Sequence, residues 1–232
     1  MMLAYVLVMS LVLPGELPQD DLLLSECDDK AVTDKLPPEL ISGLRKTVKG
    51  KFLFDKKTGE IALAYDFSNV KQLQDFTPGK SKAKPVVTAD GLCMSVGTSV
   101  THVAKFRTMK VSATVKLKQL RGQLLKTDRV ALGTGGLSPD TIYLNVTDHG
   151  GTSAIVPDKE RSGSVEMKLA IDEERTLFQW GGSTVGKDAP GVPAGQLQLF
   201  GGENGFCFKN LVIAGELDPA WAEEISDEKK KN

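Results

Sequence analysis

The sequence predicts an all-β protein: an antiparallel jelly-roll β-sandwich with a short N-terminal arm and helix and a short C-terminal helix. Three observations predict this class. Runs of alternating apolar and polar residues recur along the chain, as in strands that bury one face. Glycine clusters separate the runs, and 23 of the 232 residues are glycine. Finally, the runs do not alternate with helical segments, and no glycine-rich loop leads from a strand into a helix, which argues against a nucleotide-binding α/β fold.

The clearest predicted strand covers residues 109–117, where five apolar residues alternate with polar ones. The same period recurs in residues 141–146, 164–171 and 196–199. Residues 51–55 and 60–67 flank a turn that contains a glycine, and they predict a hairpin.

Two short helices are expected beside the strands. The first begins near Pro38, which suits a first helical turn, and ends before Gly50. In the second, we expect Asp218 to be the cap and Pro219 to take the first helical position.

The chain divides into four predicted parts: a signal peptide (1–15), an acidic linker with a short helix (16–49), the β-sandwich (50–219) and a short C-terminal helix and tail (220–232). The apolar run 3–13 is shorter than the about 20 residues that a membrane-spanning helix needs. It fits the core of a signal peptide, although no Lys or Arg precedes it; a buried N-terminal strand is the alternative. We therefore expect an extracytoplasmic protein (secreted, periplasmic or cell-surface) that does not span the membrane once processed.

Composition excludes several function classes. The chain has 29 basic and 30 acidic side chains, so a globally basic nucleic-acid binder is excluded and no specific nucleic-acid binding is expected. Two histidines and three cysteines leave no room for a His-rich metal site. Cys93 and Cys207 are either a disulfide, as in an oxidising compartment, or two buried thiols.

Three stretches of the chain resemble a known superfamily. Residues 64–68 (AYDFS) and 72–76 (QLQDF) resemble its opening, and residues 206–213 (FCFKNLVI) resemble its closing strand. Residues 165–182 are similar to a strand, turn and strand between them. The resemblance is to bacterial exported domains of unknown function in the concanavalin A-like lectin/glucanase (laminin-G-like) superfamily. It implies the fold and does not imply an activity, because one fold hosts many functions.

Catalysis is not the first expectation. Retaining glycosidases of this superfamily carry paired carboxylates in a pattern like Glu-x-Asp-x-x-Glu, and this pattern is absent. The sequence therefore indicates no catalytic residues. The alternative is a divergent glycan-cleaving enzyme with acids drawn from Asp140, Asp148 and Glu166.

Four residues form the predicted carbohydrate site: Tyr143, Asn145, Asp148 and Trp180. Exposed aromatic rings stack on sugars, and amides and carboxylates fix their hydroxyl groups. The alternative is that Tyr143 and Trp180 cover a sheet edge or pack under a loop.

A second candidate surface is basic. Eight basic residues and one acid lie between Lys105 and Arg129. Lys110, Lys116 and Lys118 share one strand face and are expected to attract an anionic chain, or else to protect an edge strand.

No cofactor is predicted. One structural calcium ion is a candidate, with oxygen ligands from Asp140, Asp148 and Asp158, but their spacing does not form a compact acidic loop. The predicted function is a non-catalytic extracytoplasmic binding module with carbohydrate as the ligand, and the expected partners are polysaccharide or envelope proteins. A structural cell-surface domain that binds other proteins is a further alternative.

Overall fold

The computed structural model describes residues 36–54, 58, 60–81, 83–135 and 138–227, which form two α-helices and sixteen strands. The predicted signal peptide and residues 16–35 lie outside the described residues. The helices are α1 (Pro38–Thr47) and α2 (Pro219–Asp227). The strands are β1 (Lys51–Phe54), β2 (Ile61–Tyr65), β3 (Phe76–Pro78), β4 (Val86–Thr88), β5 (Gly91–Met94), β6 (Ser99–Phe106), β7 (Met109–Leu117), β8 (Gln123–Lys126), β9 (Val130–Gly135), β10 (Ser138–Val146), β11 (Gly150–Ile155), β12 (Gly163–Ile171), β13 (Arg175–Trp180), β14 (Ser183–Asp188), β15 (Gly195–Phe200) and β16 (Phe206–Gly215).

The strands form two antiparallel sheets, as the fold prediction requires. The nine-stranded sheet has the order β1-β2-β16-β7-β12-β13-β14, with β5 also paired to β16 and β4 paired to β5. The seven-stranded sheet has the order β11-β10-β9-β8-β15-β6-β3. The predicted jelly-roll β-sandwich is confirmed, and so is the predicted pairing of β1 with β2.

The core lies between the inward faces of the two sheets. All five apolar residues of β7 are buried, whereas Lys110 and Lys116 between them are exposed. The largest fully buried side chains include Trp180, Arg129, Tyr65, Phe67, Phe106 and Phe178. Trp180, Tyr65, Phe106 and Phe178 are strand residues whose side chains point inward, and each buried apolar side chain stabilises the fold by about 1.5–3 kcal/mol.

The two helices pack against each other beside the sheets. A Cβ atom on Gly43 of α1 would lie 2.4 Å from the main-chain oxygen of Ile225 in α2, so the crossing requires glycine. Asp218 caps α2 as predicted, because its Oδ1 accepts the amide hydrogen of Trp221 (2.9 Å). Within the described residues, no helix has the length and apolar character needed to cross a membrane.

A buried arginine fastens the loops at one end of the sandwich. Arg129 follows β8 and has no exposed surface. Its guanidinium donates to main-chain oxygens of the β12–β13 turn and of the segment after β14, namely those of Asp172, Ala189 and Val192. Burial lowers the pKa of Arg129.

Candidate functional site

A row of side chains crosses the outward face of the seven-stranded sheet. In register order it contains Gly151, Asn145, Ala131, Lys126, Gln198, Thr101 and Thr77, one residue from each strand. We call these seven residues the polar row. None of them is buried. Since neighbouring strands are about 4.8 Å apart, the six spacings make the row about 29 Å long.

Tyr143 and Asn145 lie on this face, as the sequence predicted. Tyr143 is 38% exposed, and Ile155 on the neighbouring strand is 72% exposed. Tyr143 pairs with Ser153 and Thr141 pairs with Ile155, so the two apolar side chains are diagonal neighbours. Asn145 lies over Gly151, where an added Cβ atom would be 2.4 Å from the Asn145 Oδ1. A polar amide and an exposed ring therefore stand side by side at this edge of the sheet.

Two glutamines of the same face were not among the predicted site residues. Gln196 donates its Nε2 hydrogens to the main-chain oxygens of His102 (3.1 Å) and Val103 (3.2 Å). Gln198 donates from Nε2 to the Ser99 Oγ (3.3 Å). These bonds hold the amides on β6 and leave each amide oxygen as an acceptor for a ligand hydroxyl. The signal was the alternation of Gln196 and Gln198 with Leu197 and Leu199.

Trp180 is not part of this face, and the expectation that its ring is exposed is wrong. It lies in β13 of the other sheet with no exposed surface. Its indole Nε1 donates to the main-chain oxygen of Glu160 (2.8 Å). The ring is therefore a core side chain, which was the alternative interpretation for it.

Asp148 lies beyond the end of β10, in the turn to β11. It adopts a left-handed backbone conformation (φ 62°), which aspartate tolerates better than most residues. The neighbouring Thr147 donates its amide hydrogen to the main-chain oxygen of Arg129 (2.9 Å). Asp148 is exposed at the rim of the polar row, three residues after Asn145.

The three lysines of the predicted anionic-ligand patch lie on the opposite side of the sandwich from Tyr143. Lys110 contacts Glu60 (Nζ–Oε2 3.0 Å), and Lys116 contacts Asp90 (Nζ–Oδ2 2.8 Å). Lys118 is exposed just beyond β7. Two of the three charges are therefore paired, and the stripe of free lysines is not what the structure shows.

The acids of the enzyme alternative do not come together. Glu166 lies on the nine-stranded sheet and accepts a hydrogen bond from the Thr114 Oγ1 (2.7 Å). Asp140 and Asp148 belong to the other sheet, near opposite ends of β10. Retaining glycosidases need two carboxyl groups about 5–5.5 Å apart. The three acids do not supply such a pair.

The calcium candidate has the same difficulty. Arg161 contacts Asp158 (Nη1–Oδ1 2.6 Å) and lies 4.0 Å from Asp140 (Nη2–Oδ2). Asp148 is at the other end of β10. Among the described residues, no group of three or more His, Cys, Asp or Glu side chains is arranged to hold a metal ion.

A buried cluster of titratable groups joins the two sheets. Tyr65 of β2 and His102 of β6 are 2.6 Å apart (Oη–Nε2). The amide of Ala104 donates to the Nδ1 of His102 (3.1 Å), so the neutral ring carries its proton on Nε2 and donates it to Tyr65. Tyr65 in turn donates to Asp75 (Oη–Oδ2 3.0 Å).

This cluster is structural. Asp75 also accepts the amide hydrogens of Lys49 (2.7 Å) and Gly50 (2.8 Å), which follow α1. Burial raises the pKa of Asp75 and of Tyr65, and it lowers the pKa of His102 to about 3. Because all three side chains are buried, no substrate reaches them. They fasten the segment after α1 to both sheets.

Cys93 and Cys207 form a disulfide. They lie directly opposite each other on β5 and β16, with Cα atoms 3.9 Å apart. Of the two states that the sequence left open, this is the one found. Such bonds persist in oxidising compartments.

Comparisons with known proteins concern the fold. No protein-family model and no curated protein matches the sequence. Among solved structures, the chain is similar to apo Crh5 transglycosylase, with a TM-score of 0.53 and 14% identity over 68% of this chain and 85% of that chain. Crh5 transglycosylase in complex with NAG matches with the same TM-score and identity, over 76% and 91% of the two chains. A β-glucanase from Bacillus licheniformis matches with a TM-score of 0.48 and 10% identity, over 67% and 98%.

At these identities the likeness concerns architecture. The two Crh5 structures are each 14% identical to the chain, so their likeness to it shows a shared fold alone. The chain therefore has the two-sheet fold that such proteins share.

Proposed function

We propose that the chain is a non-catalytic carbohydrate-binding protein that acts outside the cytoplasm and binds its glycan on the outward face of the seven-stranded sheet. The observation that carries the proposal is the polar row beside the exposed ring of Tyr143. Sugars are bound by aromatic rings that stack on them and by polar side chains that exchange hydrogen bonds with their hydroxyl groups. This face offers both within a few strand spacings.

The charge of the face favours binding over hydrolysis. Asp140 is the single acidic residue in the seven strands of this sheet, and its carboxylate lies beside Arg161. Glycoside hydrolysis of the usual kind requires two carboxyl groups on either side of the scissile bond. A face without such a pair supports retention of a glycan without cleavage.

Two further observations support the proposal. The Cys93–Cys207 disulfide is in keeping with an oxidising, extracytoplasmic location. A protein of the same architecture, Crh5 transglycosylase, has been solved in complex with NAG.

The proposed site keeps three of the predicted residues and replaces the fourth. Tyr143 and Asn145 lie on the face, and Asp148 lies at its rim. Gln198 takes the place of the buried Trp180, since its amide oxygen is available on the polar row. Lys126 lies between Asn145 and Gln198 in the register.

A glycan array followed by affinity electrophoresis of the full chain tests the proposal. We expect Tyr143→Ala and Gln198→Ala to weaken retention about fivefold or more, because each removes an interaction worth about 1 kcal/mol. The matched controls lie on the nine-stranded sheet: Val86→Ala for an exposed apolar residue and Gln179→Ala for an amide. Both controls should leave retention unchanged.

Two results would overturn the proposal. One is the absence of binding to every glycan on the array. The other is binding that the controls weaken as much as the site variants do. Capture of an envelope protein by a chain that binds no glycan would support the protein-interaction alternative instead.

A further inference from the structure

The outward face of the seven-stranded sheet carries two cations that no acid neutralises among the described residues. Lys105 and Lys126 are the two basic residues of the seven strands, and both are exposed. No ion pair joins either lysine to an acid among the residues that the structure describes. On the opposite sheet Lys110 and Lys116 have Glu60 and Asp90 as partners. Among the described residues Lys168, Lys187 and Lys209 of that sheet are in no ion pair either, but its strands also carry the acids Glu166 and Asp188. The seven-stranded face differs in that Asp140 is the single acid of its strands.

The surroundings of Lys126 define a small recess. In the register Ala131 lies between Lys126 and Asn145, so a methyl group separates the lysine from the shorter asparagine. The strands that carry Lys126 and Asn145 are two spacings apart, about 9.6 Å. Gln198 adjoins Lys126 on its other side. A sugar ring above Ala131 would have an ammonium group on one side and a carboxamide on the other.

We propose that the glycan is acidic, a chain of uronic acid type, and that a sugar carboxylate binds Lys126 while its ring lies over Ala131. Lys105, which pairs in register with Gln196, adds positive charge two strands away from Lys126. Ammonium–carboxylate hydrogen bonds are about twice as strong as neutral ones. The inference rests on the proposed function, since it names the ligand class of the same face.

The nearest acids in the sequence lie outside the row. Asp128 is in the turn after β8, where its carboxylate lies against Gly195. Asp148 is in the turn after β10. Both are at the ends of the strands, whereas the polar row crosses the strands. The row itself therefore presents lysine and amide groups and no carboxylate, and the exposed Asp148 lies beyond it at the rim.

The test compares polygalacturonate with the same polymer after methyl esterification, which removes the charge and keeps the backbone. Dissociation constants are measured for the full chain at physiological salt. We expect esterification and Lys126→Gln each to weaken binding about tenfold, the loss of one charge-assisted bond. Ala131→Leu should weaken it similarly with every charge in place, because the larger side chain fills the recess.

The matched control is Lys110→Gln combined with Lys116→Gln on the other sheet, which should leave binding unchanged. Equal binding of the charged and the esterified polymer, with Lys126→Gln harmless, would overturn the acidic ligand and leave the proposed function standing. Loss of binding in the Lys110 and Lys116 double variant would also overturn the inference, because the acidic chain would then bind the nine-stranded sheet. Failure to bind any glycan, charged or neutral, would overturn both proposals.

Discussion

The indole Nε1 of Trp180 donates a hydrogen bond to the main-chain oxygen of Glu160, 2.8 Å away, from a ring with no exposed surface. The bond ties the end of β13 to the turn that precedes β12. A tryptophan held in this way contributes to stability, and it is not available to stack on a ligand.

We therefore expect Trp180→Ala to lower the free energy of unfolding by about 3–5 kcal/mol, the usual cost of emptying a large aromatic site. Trp180→Phe should cost less, since it keeps most of the ring and loses the hydrogen bond. Urea unfolding followed by circular dichroism measures both. Tyr143→Ala, at an exposed site, is the control and should change stability by no more than about 0.5 kcal/mol. A Trp180→Ala protein as stable as the wild type would contradict the burial of the ring.

His102 should make the fold sensitive to acid. Its pKa is about 3 in the folded chain and 6.5 in the unfolded chain. Below pH 6.5 the imidazole binds a proton in the unfolded chain but not in the folded chain. The contribution of His102 to the free energy of unfolding is therefore fully present above pH 6.5, and it falls by about 1.4 kcal/mol per pH unit toward pH 3. Asp75, whose pKa is raised by burial, acts in the opposite direction, because the folded chain then binds the proton more readily.

The measurement is the urea midpoint between pH 7 and pH 4.5 for the wild type and for His102→Gln. Glutamine has both a donor for Tyr65 and an acceptor for the Ala104 amide, but it does not titrate. The variant should show a smaller loss of stability in acid. Parallel pH profiles for the two proteins would assign the acid sensitivity to other groups.

Arg129 should be among the most costly residues to truncate. Arg129→Ala leaves the main-chain oxygens of Asp172, Ala189 and Val192 without their donor; the bond to Ala189 is buried and the other two are partly buried. An orphaned buried group costs about 1–3 kcal/mol, so a total of about 2 kcal/mol or more is expected. Arg121→Ala is the matched control: that arginine is exposed and paired with Glu203, and such pairs contribute about 0–1 kcal/mol. Equal effects in thermal unfolding would mean that the buried bonds contribute little.

Removal of the disulfide should destabilise the chain by about 2–5 kcal/mol. The double variant Cys93→Ser with Cys207→Ser, compared with the oxidised wild type in guanidinium unfolding, gives this value. The wild type in excess reductant should unfold at the same midpoint as the double variant. A reductant with no effect on the wild type would show that the cysteines are not joined.

The alternation of side chains predicted the strands and their inward faces well, because a strand has only two faces. The same alternation places Trp180 on the buried face, because Trp180 is an even number of positions from the buried Thr176 and Phe178. The glycine turn after Trp180 does not decide which face the ring takes, because strand parity fixes the direction of the side chain. The same parity argument would have placed Gln196 and Gln198 on the outward side.

Contacts between residues far apart in the chain could not be predicted from the sequence. Glu60 is 50 residues from Lys110 and Asp90 is 26 residues from Lys116, so nothing local indicated that these lysines are neutralised. The cluster of Tyr65, Asp75 and His102 likewise depends on which strands face each other across the core. Such contacts follow from sheet order, and strand periodicity alone does not determine sheet order.

The Cys93–Cys207 bond has a consequence for the integrity of the chain. The cysteines are 114 positions apart, and the chain between them forms six of the seven strands of the seven-stranded sheet. These six strands carry every residue of the polar row except Thr77. A protease that cuts a loop within this segment leaves two pieces that stay covalently joined. A nicked molecule would keep both halves of its outward face, and the cut would become visible as two fragments only after reduction.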